Sequence, residues 1–247
     1  MAERPSVSTS SSLVIGIDFG TTFSGVAYYH TLNDHNAGSG DDRDAKKIAD
    51  NINVIKTWPN PNQQYLEKTP SIISYATNPP TWGGTVKPFA KFTVEHFKLG
   101  LEARTTDHYG LDEDSPPNSP PSRPGFHVDL PHKKPVDFAA EYLTNLYKYV
   151  QQDFLPRHYG KQFLTNQAMS CILTVPAIWT ENAKFLTRQA AARAGVPSDK
   201  LLLITEPEAA ALYCATNCTE ADLDVGDRFL VCDAGGGTVV RKLIIAN

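Results

Sequence analysis

Two stretches near opposite ends of a chain of 247 residues place the same chemistry in the same order: an apolar run, an aspartate, then glycine and threonine. The first is Ile15-Gly16-Ile17-Asp18-Phe19-Gly20-Thr21-Thr22. A strand that delivers a carboxylate into a tight Gly/Thr turn offers backbone N–H groups and hydroxyls to a phosphate oxygen. Gly20 lets the backbone approach a ligand and take angles that a side chain forbids. Asp18 suits Mg2+ held through water, because that ion sheds its shell reluctantly. Taken alone, these residues equally fit an ordinary hairpin with a polar turn.

The second stretch, Phe229-Leu230-Val231-Cys232-Asp233-Ala234-Gly235-Gly236-Gly237-Thr238, repeats the logic. Three consecutive glycines are costly in conformational entropy, so bare backbone must be needed there. A flexible linker is the alternative, but linkers do not follow an apolar strand ending in Asp. Between the two stretches lies Thr205-Glu206-Pro207-Glu208-Ala209-Ala210-Ala211, after the apolar Leu201 to Ile204. Glu206 falls at a strand-to-helix junction, from which a carboxylate can reach a metal-bound or attacking water. Glu208 falls in the first helical turn, where its charge suits the dipole, and reads as structural. Phosphoryl transfer needs positioned water, metal and charge neutralisation, so Asp18, Glu206, Asp233 and the two turns form a sufficient set.

The elements that would position these groups can be traced along the chain. Leu13 to Phe19 and Phe23 to Tyr29 predict a hairpin about Gly20-Thr21-Thr22. Ile52 to Trp58 and Pro70 to Tyr75 predict further short strands. Seven prolines between Tyr109 and Asp137 (Pro116, Pro117, Pro120, Pro121, Pro124, Pro131 and Pro135) defeat helix and predict an exposed insertion near 110–136. Asp137 can cap a helix whose apolar stripe runs Ala139, Leu143, Leu146, Val150, Phe154. A strand from Met169 to Val175, a helix from Glu181 to Ala194 stopped at Gly195, a strand from Leu201 to Ile204, a helix from Pro207 to Ala215 and a strand from Phe229 to Asp233 follow. This alternation predicts a layered α/β domain. The two turns are expected to face one cleft.

Net charge is -4, which gives no bulk reason to expect nucleic acid or an anionic membrane as partner. Cys171, Cys214, Cys218 and Cys232 show no metal spacing and read as reduced core residues. Met1 to Ser12 is Ser-rich and lacks the pattern of a secretory signal, and no run reaches membrane-spanning length, so the cytoplasm is the expected location.

The arrangement resembles the actin-like ATPase superfamily (ribonuclease H-like fold), and within it the nucleotide-binding domain of the seventy-kilodalton heat-shock chaperones. The resemblance is carried by Gly16-Ile17-Asp18-Phe19-Gly20-Thr21-Thr22, Thr174-Val175-Pro176-Ala177, Glu206-Pro207-Glu208-Ala209-Ala210-Ala211 and Asp233-Ala234-Gly235-Gly236-Gly237-Thr238, in the family's order. Ala177-Ile178-Trp179 and the Pro-rich insertion look more like divergent eukaryotic members. The resemblance implies ATP and Mg2+ as ligands, with Gly20, Thr21, Thr22 and Phe23 on one side of the phosphates and Gly235, Gly236, Gly237 and Thr238 on the other. It implies that Asp18 and Asp233 hold the metal through water and that Glu206 places the nucleophilic water. Pro176 matches the family's interlobe switch, and Lys98, in Phe97-Lys98-Leu99, matches the catalytic lysine by order, although its type alone equally fits a solvated surface lysine. Co-chaperones or client proteins are the implied partners.

The implied organisation is a disordered N-terminus over 1–12, lobe I over 13–228, and the first strand and phosphate turn of a truncated lobe II over 229–247. Two departures weigh on it. Val240 stands where the family usually carries an acid, and the adenosine-binding segment of the second lobe is not expected within these residues. The chain as written is therefore expected to bind ATP weakly at best, with Leu243-Ile244-Ile245 lacking a strand neighbour. Asp18-Phe19-Gly20 also spells a protein-kinase triplet, but the other kinase signatures and a Walker loop are missing. A sugar kinase of the same superfamily and a degenerate module that binds partners through lobe I stay open as alternatives.

Overall fold

The computed structural model describes residues 12–31, 47–62, 64–102, 133–217, 226–235 and 239–245. The N-terminal segment 1–11 and nearly all of the Pro-rich stretch lie outside them.

β1 (Ser12–Asp18) and β2 (Phe23–His30) form the expected antiparallel hairpin, in a register that runs from Leu13 opposite His30 to Asp18 opposite Gly25. Leu13, Ile15 and Ile17 alternate inward on β1 and are buried, as a period of two requires. The run Ile52 to Trp58 yields only β3 (Asn53–Val54), since Ile55 and Trp58 enter the core while Ile52 and Val54 stay exposed. The run Pro70 to Tyr75 divides into β4 (Thr69–Pro70), paired with β2, and β5 (Ile72–Ser74). Pro70 has no N–H to continue a ladder, and the Ser71 N–H is instead given to Thr22 O at 2.8 Å. β5 forms a small sheet with β6 (Thr81–Trp82) and β7 (Thr93–Glu95).

Helix α1 (Pro135–Lys148) starts two residues before Asp137, because proline is preorganised for the first helical position. Asp137 is thus not the N-cap but the third helical residue, and its carboxylate accepts from the Lys134 N–H at 2.6 Å. The helical path continues through a π-helical stretch (Tyr149–Phe154) into α2 (Leu155–Tyr159). Across these pieces Ala139, Leu143, Leu146, Val150 and Phe154 are all buried, as their spacing predicts.

β8 (Ala168–Val175) lies parallel to β1, and β9 (Leu201–Thr205) parallel to β8, so the main sheet runs β3-β2-β1-β8-β9. Helix α3 (Glu181–Arg193) makes the crossover and packs on α1. Gly195 ends it at φ 93°, with Val196 N donating to Ala191 O and Gly195 N to Ala192 O, the paired bonds of a left-handed C-terminal cap. Helix α4 (Glu206–Asn217) follows β9 and touches a separate hairpin, β10 (Arg228–Ala234) with β11 (Val239–Ile245). Leu243, Ile244 and Ile245 do have a strand neighbour, lying opposite Leu230, Phe229 and Arg228. Cys171 is buried as expected, but Cys214 and Cys232 are exposed, so only the first is a core residue; the three form no disulfide. Cys218 is outside the described residues.

Candidate functional site

The parallel register aligns Ile17 with Leu173 and Leu173 with Leu203, so β1, β8 and β9 end together. Carboxyl ends of parallel strands are where α/β sheets place ligands. Asp18, Thr174 and Glu206 all sit at this edge.

The first turn is held from beneath. A Cβ on Gly20 would lie 2.0 Å from the Phe23 carbonyl oxygen, so only glycine closes this turn. Ser71 Oγ donates to Gly20 O at 2.8 Å and contacts Ser24 Oγ at 2.8 Å, with both serines fully buried. Tyr142 OH donates to Pro70 O at 3.1 Å. Burial pushes the Tyr142 phenol up to about 12, against a smaller downward pull from the Ser24 and Ser71 hydroxyls, and it acts as a neutral donor. Above this support Thr21 and Thr22 are half-buried and Phe23 is exposed, with a relative accessibility of 51%.

Asp18 is held on both oxygens. Thr174 Oγ1 donates to Oδ1 at 3.3 Å, and Lys68 Nζ stands 2.6 Å from Oδ2. Next to it, Phe19 is buried and stacks on Phe97 with ring centroids 6.2 Å apart. That contact fixes the segment carrying Lys98.

Lys98 is a core residue rather than a solvated surface lysine: its side chain is 3% exposed. Its Nζ lies 2.6 Å from Glu206 Oε1 and within 6 Å of the Phe19 and Trp179 rings (5.7 and 5.5 Å to the centroids). Burying an ammonium requires such a partner. Glu206 is fixed in turn by a capping box at the start of α4. Glu208 Oε2 accepts from the Thr205 N–H at 2.9 Å, and Thr205 Oγ1 accepts from the Glu208 N–H at 3.3 Å. Glu208 thus has the structural role that its position predicts.

The second turn joins β10 to β11. Asp233 lies opposite Val240, and Ala234 opposite Val239. Gly235 follows β10 and is exposed, while Gly236, Gly237 and Thr238 lie outside the described residues, as does any test of the two turns facing one cleft.

No family model matches the chain. Individual proteins do. A chaperone protein HscA homolog of Acinetobacter baumannii is 28% identical over 230 residues, covering 92% of this chain and 31% of its own length. Heat shock 70 kDa protein 12A of Homo sapiens is 28% identical over 220 residues, covering 82% of this chain and 28% of its own length. A heat shock protein homolog of Encephalitozoon cuniculi is 28% identical over 262 residues, covering 96% and 35%. The chain is thus similar in sequence to proteins named as Hsp70-type chaperones. It spans about a third of the length of these Hsp70 relatives (31% of the first). They support an Hsp70-like nucleotide-binding domain of the ATPase type, and the mixed α/β architecture is consistent with the actin-like ATPase fold.

Within this Hsp70-like frame the fold brings Asp18, Gly20, Thr21, Thr22, Lys98 and Glu206 to one end of the sheet. Three further residues take part that no motif assigned a role. Thr174 stood in the Thr174-Val175-Pro176-Ala177 motif without a task, and the alignment of β8 with β1 gives it one. Lys68 and Ser71 flank the short strand β4, and nothing in their local sequence points across to the first turn. Among the described residues no group of three His, Cys, Asp or Glu side chains could cage a metal. Nor is any helix among them long and apolar enough to cross a membrane.

Proposed function

We propose that this chain carries the phosphate-gripping side of an Hsp70-like ATP site. The observation that supports it most is the buried Lys98–Glu206 pair. Two residues of catalytic type, 108 positions apart, meet at the strand ends beside the first Gly/Thr turn. A pair buried only for stability would gain little over apolar side chains of similar size.

In this reading Gly20, Thr21, Thr22 and Phe23 line one side of the triphosphate, and Gly235, Gly236, Gly237 and Thr238 the other. Lys98 neutralises charge that develops on the transferred phosphoryl group. Glu206 orients the attacking water. Asp18, with Asp233, would hold Mg2+ largely through water, since a half-exposed carboxylate such as Asp18 leaves room for the hydration shell that this ion keeps. Bound there, Mg2+ would supply charge neutralisation between the phosphate oxygens. Thr174 keeps the Asp18 carboxylate turned to the edge. A chaperone-type role with co-chaperones or clients, and a cytoplasmic setting, belong to the same proposal.

A second reading has one observation in its favour. Val240, paired with Asp233 in the hairpin register, stands where the family usually carries an acid. That suits a nucleotide-sensing or partner-binding module with little turnover. Single-turnover ATP hydrolysis by wild-type protein and Glu206→Gln separates the two. Mg2+-dependent hydrolysis that falls about a hundredfold or more in the variant supports the ATPase. Equal rates remove Glu206 from the mechanism, and ATP binding without hydrolysis favours the module.

A further inference from the structure

Lys68 lies outside every motif of the sequence, yet three features bring it to the first turn. Its Nζ stands 2.6 Å from Asp18 Oδ2. The pairing of β4 with β2 sets Thr69 against Ser24, which carries the Lys68 backbone alongside Gly25, the cross-strand partner of Asp18. Gly25 is bare where the lysine passes: a Cβ there would meet Lys68 Cγ at 3.2 Å and the Glu67 carbonyl oxygen at 3.3 Å. The four-carbon stem therefore crosses a glycine to reach the carboxylate.

An ammonium in contact with Oδ2 and a divalent cation on the same oxygen repel one another at close range. Thr174 engages the other oxygen, so Lys68 stands on the oxygen that carries no hydroxyl contact. We propose that Lys68 is an exchangeable counter-ion of Asp18, which yields that carboxylate to a divalent cation and then pairs with the polyphosphate of the bound nucleotide. Lys68 is suited to exchange: its side chain is half-exposed, at 52%, and Asp18 is 42% exposed, so the pair is weak enough to be broken. A lysine is a compact point charge on a flexible stem, able to follow a phosphate without fixed geometry. The consequence is a site in which metal and lysine compete for Asp18 but cooperate on the nucleotide.

The inference rests on the phosphate reading of the first turn, and its test separates the two. Mn2+ alone is titrated into the wild-type chain and into Lys68→Gln, followed by electron paramagnetic resonance, and ATP is titrated into both in EDTA and in Mg2+. Lys68→Arg, which keeps the cation, serves as the conservative control. Loss of the competitor is expected to tighten Mn2+ binding about two- to fivefold and to weaken ATP binding in EDTA by a similar factor. The arginine variant is expected to behave as wild type in both. Unchanged Mn2+ affinity in Lys68→Gln overturns the proposal, as does unchanged ATP affinity in EDTA where wild type binds ATP. If no protein binds ATP even with Mg2+, the phosphate reading falls, and the Mn2+ titration alone decides the role of Lys68.

Discussion

Lys98 Nζ and Glu206 Oε1 meet at 2.6 Å across 108 positions of sequence, and the lysine is almost wholly buried. The two belong to different parts of the fold. Lys98 follows Phe97, which is stacked on Phe19 at the end of β1, and Glu206 opens α4 after β9. The pair therefore ties both ends of the parallel edge together.

Breaking one partner should cost more than replacing both. Lys98→Ala leaves the Glu206 carboxylate mostly buried beside an empty space, and is expected to destabilise the fold by about 3 kcal/mol. The double variant Lys98→Met, Glu206→Leu keeps the volume and removes both charges, so its stability is expected to return close to wild type. Urea unfolding of the three proteins checks this. A double variant as unstable as the single one would show that the pair itself, and not the stranded charge, holds the edge together.

Two glycines of the first motif should respond oppositely to a methyl group. At Gly16 the nearest atom to an added Cβ is the Ala27 carbonyl oxygen at 3.8 Å, an ordinary contact, whereas at Gly20 it is the Phe23 carbonyl oxygen at 2.0 Å. Gly16→Ala is expected to stay within about 1 kcal/mol of wild type. Gly20→Ala must deform the turn, and is expected to lose 2 kcal/mol or more, a figure of about the size for a strained backbone. Thermal denaturation followed by circular dichroism tests the contrast, and equal melting temperatures would contradict the close turn.

Asp137 gives the fold a defined acid sensitivity. Burial tends to raise its carboxyl, but the Lys134 N–H and the Arg193 guanidinium outweigh that and hold it below the ordinary carboxylate value. A depressed folded-state value contributes stability above the unfolded value, near about 4, and loses it as pH falls through the folded value. Asp137→Asn is expected to cost about 1 kcal/mol at neutral pH, with the difference closing below about pH 4. A difference that is constant from pH 7 to about pH 3 would assign the effect to shape rather than charge.

The strand and helix order was legible because local signals agree with the tertiary packing. The stripe from Ala139 to Phe154 is buried throughout, and Gly195 stops α3 where an αL residue was needed. The start of α1 was misplaced onto Asp137 because a carboxylate at the third helical position caps the same N–H groups as an N-cap residue. At the site, Asp18, Gly20 and Glu206 could be read from strand–turn and strand–helix junctions. Lys98 matched only by order in the chain, since nothing local tells a buried lysine from a solvated one. Burial of Lys98 is decided by Phe19, Trp179 and Glu206, all remote in sequence. Ser71 and Lys68 were invisible for the same reason, as their partners lie 51 and 50 positions away.

The most direct test of the phosphate site is a calorimetric titration of ATP with Mg2+ into the wild-type chain, Gly16→Ala and Gly20→Ala, with pyrophosphate and adenosine as competitors. The expected result is weak but saturable binding in the first two, displaced by pyrophosphate and not by adenosine, and absent from folded Gly20→Ala. Binding that adenosine displaces and that survives the Gly20 substitution would place the nucleotide elsewhere and contradict the phosphate role of the Asp18–Thr22 turn.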